Sequence, residues 1–448
     1  MRRTIKLRKG LNISLKGVAE LTVKEIPVKG TYALSPDDFY GFKPRVVVKA
    51  GDIVKAGDCL FVSKDIPDMN FVSPVSGTVK LINRGERRKV LNVMVEADAE
   101  QQYKDFGNVE VSALSVDEVK KKMLESGVFS FIKQRPYDIT ANPEETPKAI
   151  FVSAFSKMPL ATDFLVALKG REQDFQTGIN VLAKLAKVYL NISPDEEALL
   201  KTENAEVTVF DGPNPSGNVG VQINHLCPVN KGEVVWTLGA EEVIFIGHVF
   251  QTGKTDFTRV IAFAGSEVKE PCYYRMTIGT DLAVLTDNGL KRKENVRVIN
   301  GNPLVGKVCK GQSFLAAHTT EVTAIPEGND IHEVLGWIMP RLKDFSTNHS
   351  YFSWLFGNKK EYDLDARIKG GKRHIIMSGE YDKVLPMDIY AGYLIKAILV
   401  GDIDKMEQLG IYEVAPEDFA VAEFVDSSKL ELQRIVREGL DMLRKELA

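Results

Sequence analysis

What the 448-residue sequence has little of narrows its chemistry first. Cysteine is scarce: Cys59, Cys227, Cys272 and Cys309 form no Cys-x-x-Cys pair, so neither a zinc knuckle nor a cysteine-held iron–sulfur cluster has a signature. The six histidines, at 225, 248, 318, 332, 349 and 374, contain no metal-spaced pair. Neither sign of charge is in excess. The 58 Lys and Arg against 61 Asp and Glu leave a net charge of −3, too near neutrality for the broad positive field that nucleic-acid binding needs. Long apolar runs are missing as well. The most apolar windows, 242–250 (EVIFIGHVF) and 393–400 (YLIKAILV), fall far short of the ~20 residues that cross a bilayer, so membrane association is expected through partners only. The basic start MRRTIKLRKGLNISLKG has no apolar segment of secretory type and no small-residue cleavage site, which points to the reducing cytoplasm.

What is present reads as an ordinary globular composition, with 44% apolar and 27% charged residues, 35 Gly and 19 Pro. The length predicts about three domains. Residues 46–62 (VVVKAGDIVKAGDCLFV) repeat a Gly-Asp pair at 51–52 and 57–58 between alternating apolar positions, which predicts two tight turns and short strands. Residues 71–82 (FVSPVSGTVKLI) follow the same logic, with Pro74 and Gly77 at a turn. Residues 1–105 are therefore expected to form a small β domain. The pattern resembles the lipoyl/biotinyl-type barrel-sandwich, whose carrier versions modify a lysine at a hairpin tip. Here Ile66 stands at that tip, followed by Pro67, and Lys64 is two positions early. A scaffold use of the fold is favoured over a swinging arm.

After residue 110 the apolar period lengthens from two to about 3.6. Ser115 and Glu118 predict a capping box for a helix at 116–126 ended by Gly127. Residues 148–155 and 206–210 read as buried strands, and 173–190 as a helix with Phe175, Ile179, Leu182, Leu185, Ala186 and Tyr189 on one face. Residues 110–256 are thus expected to be an α/β domain. Short strands return over 257–325 and suggest a β-grasp-like module. Residues 326–385 are a mixed, turn-rich linker region, with Trp337 and Trp354 as apolar anchors. Residues 386–448 are helical: Pro386 opens a helix that Gly401 ends, Pro416 opens another, and Ser428 with Glu431 caps a last one carrying Leu432, Ile435, Val436, Gly439 and Leu443 on one face.

Two glycine-rich stretches invite phosphate readings. TGKT at 252–255 fails as a P-loop, because five residues separate Gly247 from Gly253 where four are needed and the stretch follows a helix instead of a strand. Gly253 is expected to end a helix. The loop DGPNPSGNVGVQINHLCP (211–228) places Gly212, Asn214, Ser216, Gly217 and Gly220 at a strand-to-helix junction, where backbone amides receive anions or polar head groups. Its spacing is not Gly-x-Gly-x-x-Gly, Pro213 and Pro215 each remove a donor, and a rigid junction loop accounts for it equally well. His225 beside it is a donor to a carbonyl oxygen or a structural histidine. The early α/β segment has only Gly127, Gly170 and Gly178, widely spread, so no flavin or nicotinamide fingerprint is present. There is no serine nucleophile elbow. The charged runs KGREQDF and NKKEYDLDARIKGGKRH read as solvated faces or as docking surfaces.

The strings GPNPSGNVGVQINHLCPV, EEVIFIGHVFQTGKT, RVIAFAGSEVKEP, LPMDI and LVGDIDKMEQLG, in this order over nearly the full length, resemble the A subunit of the bacterial sodium-translocating NADH:quinone oxidoreductase. That resemblance implies a multidomain α+β chain: a barrel-sandwich N-terminus, an α/β domain related to the flavin-binding subunit of complex I, a β-grasp-like module and a helical C-terminus. It implies a peripheral subunit on the cytoplasmic face of the bacterial inner membrane, with five other subunits as partners. Flavins and iron–sulfur centres would sit on those partners, this chain would bind no cofactor of its own, and NADH electrons would reach ubiquinone or menaquinone while Na+ is exported. The related flavin subunits carry a Gly-Arg-Gly-Gly motif with no counterpart here. Family cysteines in the stretch matching 410–429 are replaced, with Ile411, Ala422 and Asp426 in that segment, so no cluster or disulfide is available there. The family has been linked to quinone, for which Gly212, Asn214, Gly217, Gly220 and His225 are the candidate contacts, beside the apolar Val219, Val221, Ile223 and Leu226. No catalytic or metal residue is expected. The rival readings are a self-sufficient soluble flavin-dependent NADH oxidoreductase and a lipoyl or biotin carrier. A ferredoxin-using complex is disfavoured by the missing cysteine motifs.

Overall fold

The computed structural model describes residues 3–331, 341–342, 344–347, 351–356 and 360–446; Trp337 and the side chain of Trp354 lie outside them. The centre is a seven-stranded sheet in the order Arg3–Lys6, Glu206–Asp211, Val188–Ile192, Ile150–Ser153, Val235–Gly239, Lys133–Arg135, Ile139–Thr140. The first five strands are parallel; Lys133–Arg135 runs antiparallel to them and pairs antiparallel with Ile139–Thr140. Parallel strands are covered on both faces, and the side chains divide accordingly. Ile150, Val152, Val188 and Leu190 enter one core with the helices Val116–Glu125, Glu172–Leu185 and Ala240–Thr252. Phe151, Tyr189 and Val235 enter a second core built by Val219–Leu226 and the C-terminal helices.

The barrel-sandwich packs a four-stranded sheet (Thr31–Leu34, Val90–Ala97, Gly77–Arg84, Ile53–Val54) on a three-stranded one (Pro44–Val46, Cys59–Ser63, Asn70–Val72). Its two Gly-Asp turns are the same device used twice. Gly51 and Gly57 take φ of 94° and 95°, and the Asp52 and Asp58 carboxylates accept the Lys49 and Lys55 amides, each at 2.7 Å. The β-grasp-like sheet runs Lys307–Val308, Val296–Asn300, Glu321–Pro326, Thr258–Ala264, Cys272–Thr277, Glu20–Glu25. Strands near the N-terminus therefore join the other two sheets: Arg3–Lys6 pairs with Glu206–Asp211, and Glu20–Glu25 with Cys272–Thr277.

The capping box of Ser115 and Glu118 forms, and Gly253 closes Ala240–Thr252 in the left-handed conformation. Three local expectations are corrected. The helix expected over 173–190 stops at Leu185, Ala186 is fully extended, and Val188–Ile192 is a strand paired on both sides. A strand buried on both faces reads as a continuous apolar run, which periodicity does not separate from the end of a helix. The helix expected from Pro386 begins at Ala391, because the Asp388 amide is engaged by the Asn224 side chain at 3.0 Å. Ser428 does not cap Leu432–Glu446: its hydroxyl donates to the His374 carbonyl at 3.0 Å, while Asp426 accepts the Ser428 and Leu430 amides. Among the described residues no helix is long and apolar enough to cross a membrane.

Candidate functional site

A cavity of about 300 Å³ opens at the carboxyl edge of the parallel strands, bordered by Ser153, Gly217 and Gly239 and closed by the β-grasp-like module through Asn302, His318 and Glu321. This edge is where open α/β sheets bind ligands, since strand ends diverge and helix N-termini converge there. Phe131, Phe155, Met158 and Phe164 give it an apolar wall.

Its polar wall is built from buried charges. Gly239 ends a strand and starts the helix Ala240–Thr252, which places Glu241 and Glu242 in the first turn, where the helix dipole favours acids. Facing them is Arg259 on the strand Thr258–Ala264, buried to 1% exposure. Its two terminal nitrogens donate to Glu241 Oε2 at 2.8 Å, Glu242 Oε1 at 2.5 Å and the Ala317 carbonyl at 2.7 Å. The Phe245 ring lies 5.0 Å below the guanidinium. Burial works against ionisation of Glu242, but Arg259 and His318 hold its carboxyl far below the usual range. Burial, reinforced by the Glu242 charge, raises Glu241. His318 lies 3.5 Å from Glu242 Oε1, and burial pushes its pKa down to about 4. Glu321 accepts from Thr320 at 2.7 Å and Asn302 at 3.2 Å, and burial raises it.

A second cluster borders the same cavity. Arg135, also 1% exposed, pairs with Asp138 and stands 3.6 Å from Glu417. Burial alone would raise Asp138, yet Arg135, Lys133 and Arg437 hold it at about 2. Asp418 is wholly buried and is pushed up to about 7 by burial, against the pull of Arg135. Among the described residues, Arg135 Nε and Asp418 Oδ1 have no hydrogen-bond partner.

Of the five loop candidates, Gly217 borders the cavity. A Cβ there would lie 2.8 Å from the Phe155 carbonyl oxygen, so the loop lies against the chain after the strand Ile150–Ser153. Gly212 packs on Leu7, and Gly220 leaves room for the Asp418 carboxyl. Asn214 is fully buried: its carbonyl accepts the Leu11 amide at 2.7 Å and its amide donates to Asn12 at 2.9 Å. His225 sits at the far end of Val219–Leu226, its Nδ1 2.9 Å from the Val221 carbonyl. Sequence reading missed Arg135, Asp138, Arg259, His318, Glu321 and Asp418. The one available signal was the paired Glu241 and Glu242 directly after a strand ending in glycine. Among the described residues no group of three or more His, Cys, Asp or Glu side chains is placed to hold a metal ion.

A barrel-sandwich, beside a parallel α/β sheet and a β-grasp-like module that share one cavity, defines a multidomain α+β scaffold, and family comparison resolves its parts. Residues 5–98 match the NqrA N-terminal barrel-sandwich hybrid domain, 114–255 the NqrA second alpha/beta domain and 260–311 the NQRA C-terminal domain. The chain is 34% identical to the A subunit of Na(+)-translocating NADH-quinone reductase from Haemophilus influenzae (strain ATCC 51907 / DSM 11121 / KW20 / Rd), over 99% of its own length and 100% of that protein. It is equally close, at 34% over 99% and 100%, to the protein of the same name from Photorhabdus laumondii subsp. laumondii. The chain belongs to this NqrA family, the A subunits of Na(+)-translocating NADH-quinone reductase. Among solved structures, an air-oxidised NAD+-reducing [NiFe]-hydrogenase is similar over 65% of this chain and 57% of that one, at 11% identity and a TM-score of 0.35, too low to carry an argument.

Proposed function

We propose that this chain is a peripheral, docking subunit on the cytoplasmic face of the bacterial inner membrane, within a complex whose five other subunits carry the flavins and iron–sulfur centres. That complex passes NADH electrons to ubiquinone or menaquinone and exports Na+. The observation that carries the reading is the end-to-end match to relatives named as the A subunit of such a reductase. The cavity supports it. Carboxylates outnumber cations on its polar wall, and Arg259 and Arg135 are already engaged by internal acids, so a dinucleotide or flavin phosphate would meet like charge. A neutral ring fits better. The apolar wall takes a quinone headgroup, and Lys133, which has no ion-pair partner among the described residues, is a donor for a ring carbonyl. In this reading Gly217 borders the ring, whereas Gly212, Asn214, Gly220 and His225 hold the loop and helix behind it. The chain alone turns over no NADH.

The test is to purify the chain alone and together with its membrane partners. The expected result is no flavin absorbance and no NADH oxidation by the isolated chain, and an assembly of six subunits from membranes. Stoichiometric flavin with NADH turnover by the isolated chain would establish the self-sufficient flavoenzyme instead. For the quinone site, Gly217→Val should abolish binding of a quinone analogue to the assembled complex. Unchanged binding would remove the cavity from the proposal.

A further inference from the structure

The C-terminal region carries a second, unrelated pocket. Helix Ala391–Val400 buries Ala391, Leu394, Ile395 and Ile398 in the second core, yet its opposite face shows Tyr393, with Tyr390 just before it, at 58% and 68% exposure. Large apolar groups left together in water mark a binding surface more often than a scatter does. These two rings form a corner: their centroids are 6.4 Å apart and their planes meet at 79°. Tyr381 completes the lining, and its hydroxyl is held by Asp426 at 3.0 Å, which fixes the ring. Met377 covers the side, because Gly392 presents no Cβ; one there would lie 3.1 Å from the Met377 methyl. The enclosed volume is about 60 Å³, room for one small head group and far too little for a flavin or quinone ring. Among the described residues, the only charged one in its lining is Asp382, an exposed carboxylate with no ion-pair partner among them.

We infer that Tyr381, Tyr390, Tyr393 and Asp382 form an aromatic cage for a cationic side chain, an arginine or lysine on a cytoplasmic segment of a membrane-embedded partner protein. Aromatic faces present negative potential, and a cation within ~6 Å of a ring centroid is attracted to it. The unpaired Asp382 supplies the counter-charge, and the Met377 thioether adapts to the aliphatic stem. The choice of occupant rests on the docking reading above: segments that flank membrane spans on the cytoplasmic side are enriched in Lys and Arg, which complements a slot with one free carboxylate.

The experiment uses the full chain. Ethylguanidinium chloride is titrated while the NMR signals of Tyr390 and Tyr393 are followed, with sodium chloride at equal ionic strength as control. A saturable shift with the guanidinium salt alone is expected. Asp382→Asn and the double change Tyr390→Ala with Tyr393→Ala should weaken it by at least about tenfold, while Tyr393→Phe retains it. Asp382, Tyr390 and Tyr393 lie outside both main cores and Tyr381, which lies in the second, is left intact, so the melting temperature should not move. On membranes carrying the partner subunits, the weakened variants should be retained at least about tenfold less than wild type. No saturable shift, or retention equal to wild type, overturns the cage. Capture of wild type but not of the variants by phosphatidylcholine vesicles free of protein overturns the choice of a protein partner in favour of a lipid head group. Failure of the wild-type chain to bind partner-bearing membranes overturns the docking reading instead, and the titration still judges the cage.

Discussion

Arg135, on the cavity wall, and Arg259, behind the wall's Glu241 and Glu242, are buried to the same degree, and the fold satisfies them in different ways. Arg259 meets two carboxylates from a single helical turn, and its terminal nitrogens make three hydrogen bonds of 2.5–2.8 Å. Arg135 faces three acids, Asp138, Glu417 and Asp418, of which two come from the C-terminal region. Asp418 is the buried one of the three, and its share of one guanidinium does not offset that burial, so it keeps its proton up to about pH 7. The first arrangement is a fixed joint between the α/β sheet and the β-grasp-like module. The second is a titratable joint between the sheet and the C-terminal helices.

The largest way to break that contrast is Arg259→Met. It strands Glu241 and Glu242 without a counter-ion, and removing one partner of a buried pair costs about 3–5 kcal/mol. Calorimetry should show a melting temperature lower by several degrees. Arg135→Met should cost less, about 2 kcal/mol. Glu417 is 42% exposed and is rehydrated once released, and Asp418 is already able to be neutral. Equal losses at the two sites would erase the distinction.

The pH dependence sharpens it. Asp418 has a folded pKa of about 7, above its unfolded value of ~3.9, so the folded chain holds the extra proton between them. Its contribution is fully present below the unfolded value and is lost as pH rises through about 7, at up to ~1.4 kcal/mol per pH unit. His318 acts in the opposite direction. Its folded pKa of about 4 lies below the unfolded ~6.5, so stability is lost as pH falls through that window. Between pH ~4 and ~6.5 the two slopes oppose each other. Relative to wild type, denaturant titrations should therefore show a slope shifted toward stability rising with pH in Asp418→Asn and toward stability falling with pH in His318→Gln. A wild-type slope in either variant would mean that the group does not titrate as its surroundings dictate.

The same contrast explains what could be read from the sequence. Turn chemistry is local: the Gly-Asp repeats, the Ser115 and Glu118 box and the Gly253 terminus are each written within four residues. Helix faces with a period of 3.6 were legible for Leu432–Glu446. The central strand Val188–Ile192 was not, since its identity depends on neighbours supplied by distant segments. Charged site residues fare worse still. A Glu or Arg in a sequence reads as a solvated face, and nothing near Arg135 announces that Glu417 and Asp418 will meet it. The glycine loop was legible as a junction, but its five candidates look in different directions. Gly217 borders the cavity, while Gly212 and Gly220 make room for Leu7 and Asp418.

The smallest expected effect belongs to His225, and it separates the two ends of one helix. The start of Val219–Leu226 lies at the cavity, where Gln222 reaches back to Ser153 at 2.9 Å and Gly217 at 3.2 Å. Its end carries His225, whose ring packs edge-on against Phe210 at 6.2 Å and whose Nδ1 meets the Val221 carbonyl. That bond stays within the helix and is partly exposed, so His225→Ala should cost about 0.5–1 kcal/mol and leave quinone-analogue affinity of the assembled complex unchanged. Gln222→Ala, only one helical turn away, frees Ser153 and the Gly217 carbonyl at the cavity rim and should weaken the analogue several-fold more than His225→Ala does. If His225→Ala weakens the analogue as much as Gln222→Ala, the ring of the ligand extends along the helix, and the site is larger than the cavity at its start.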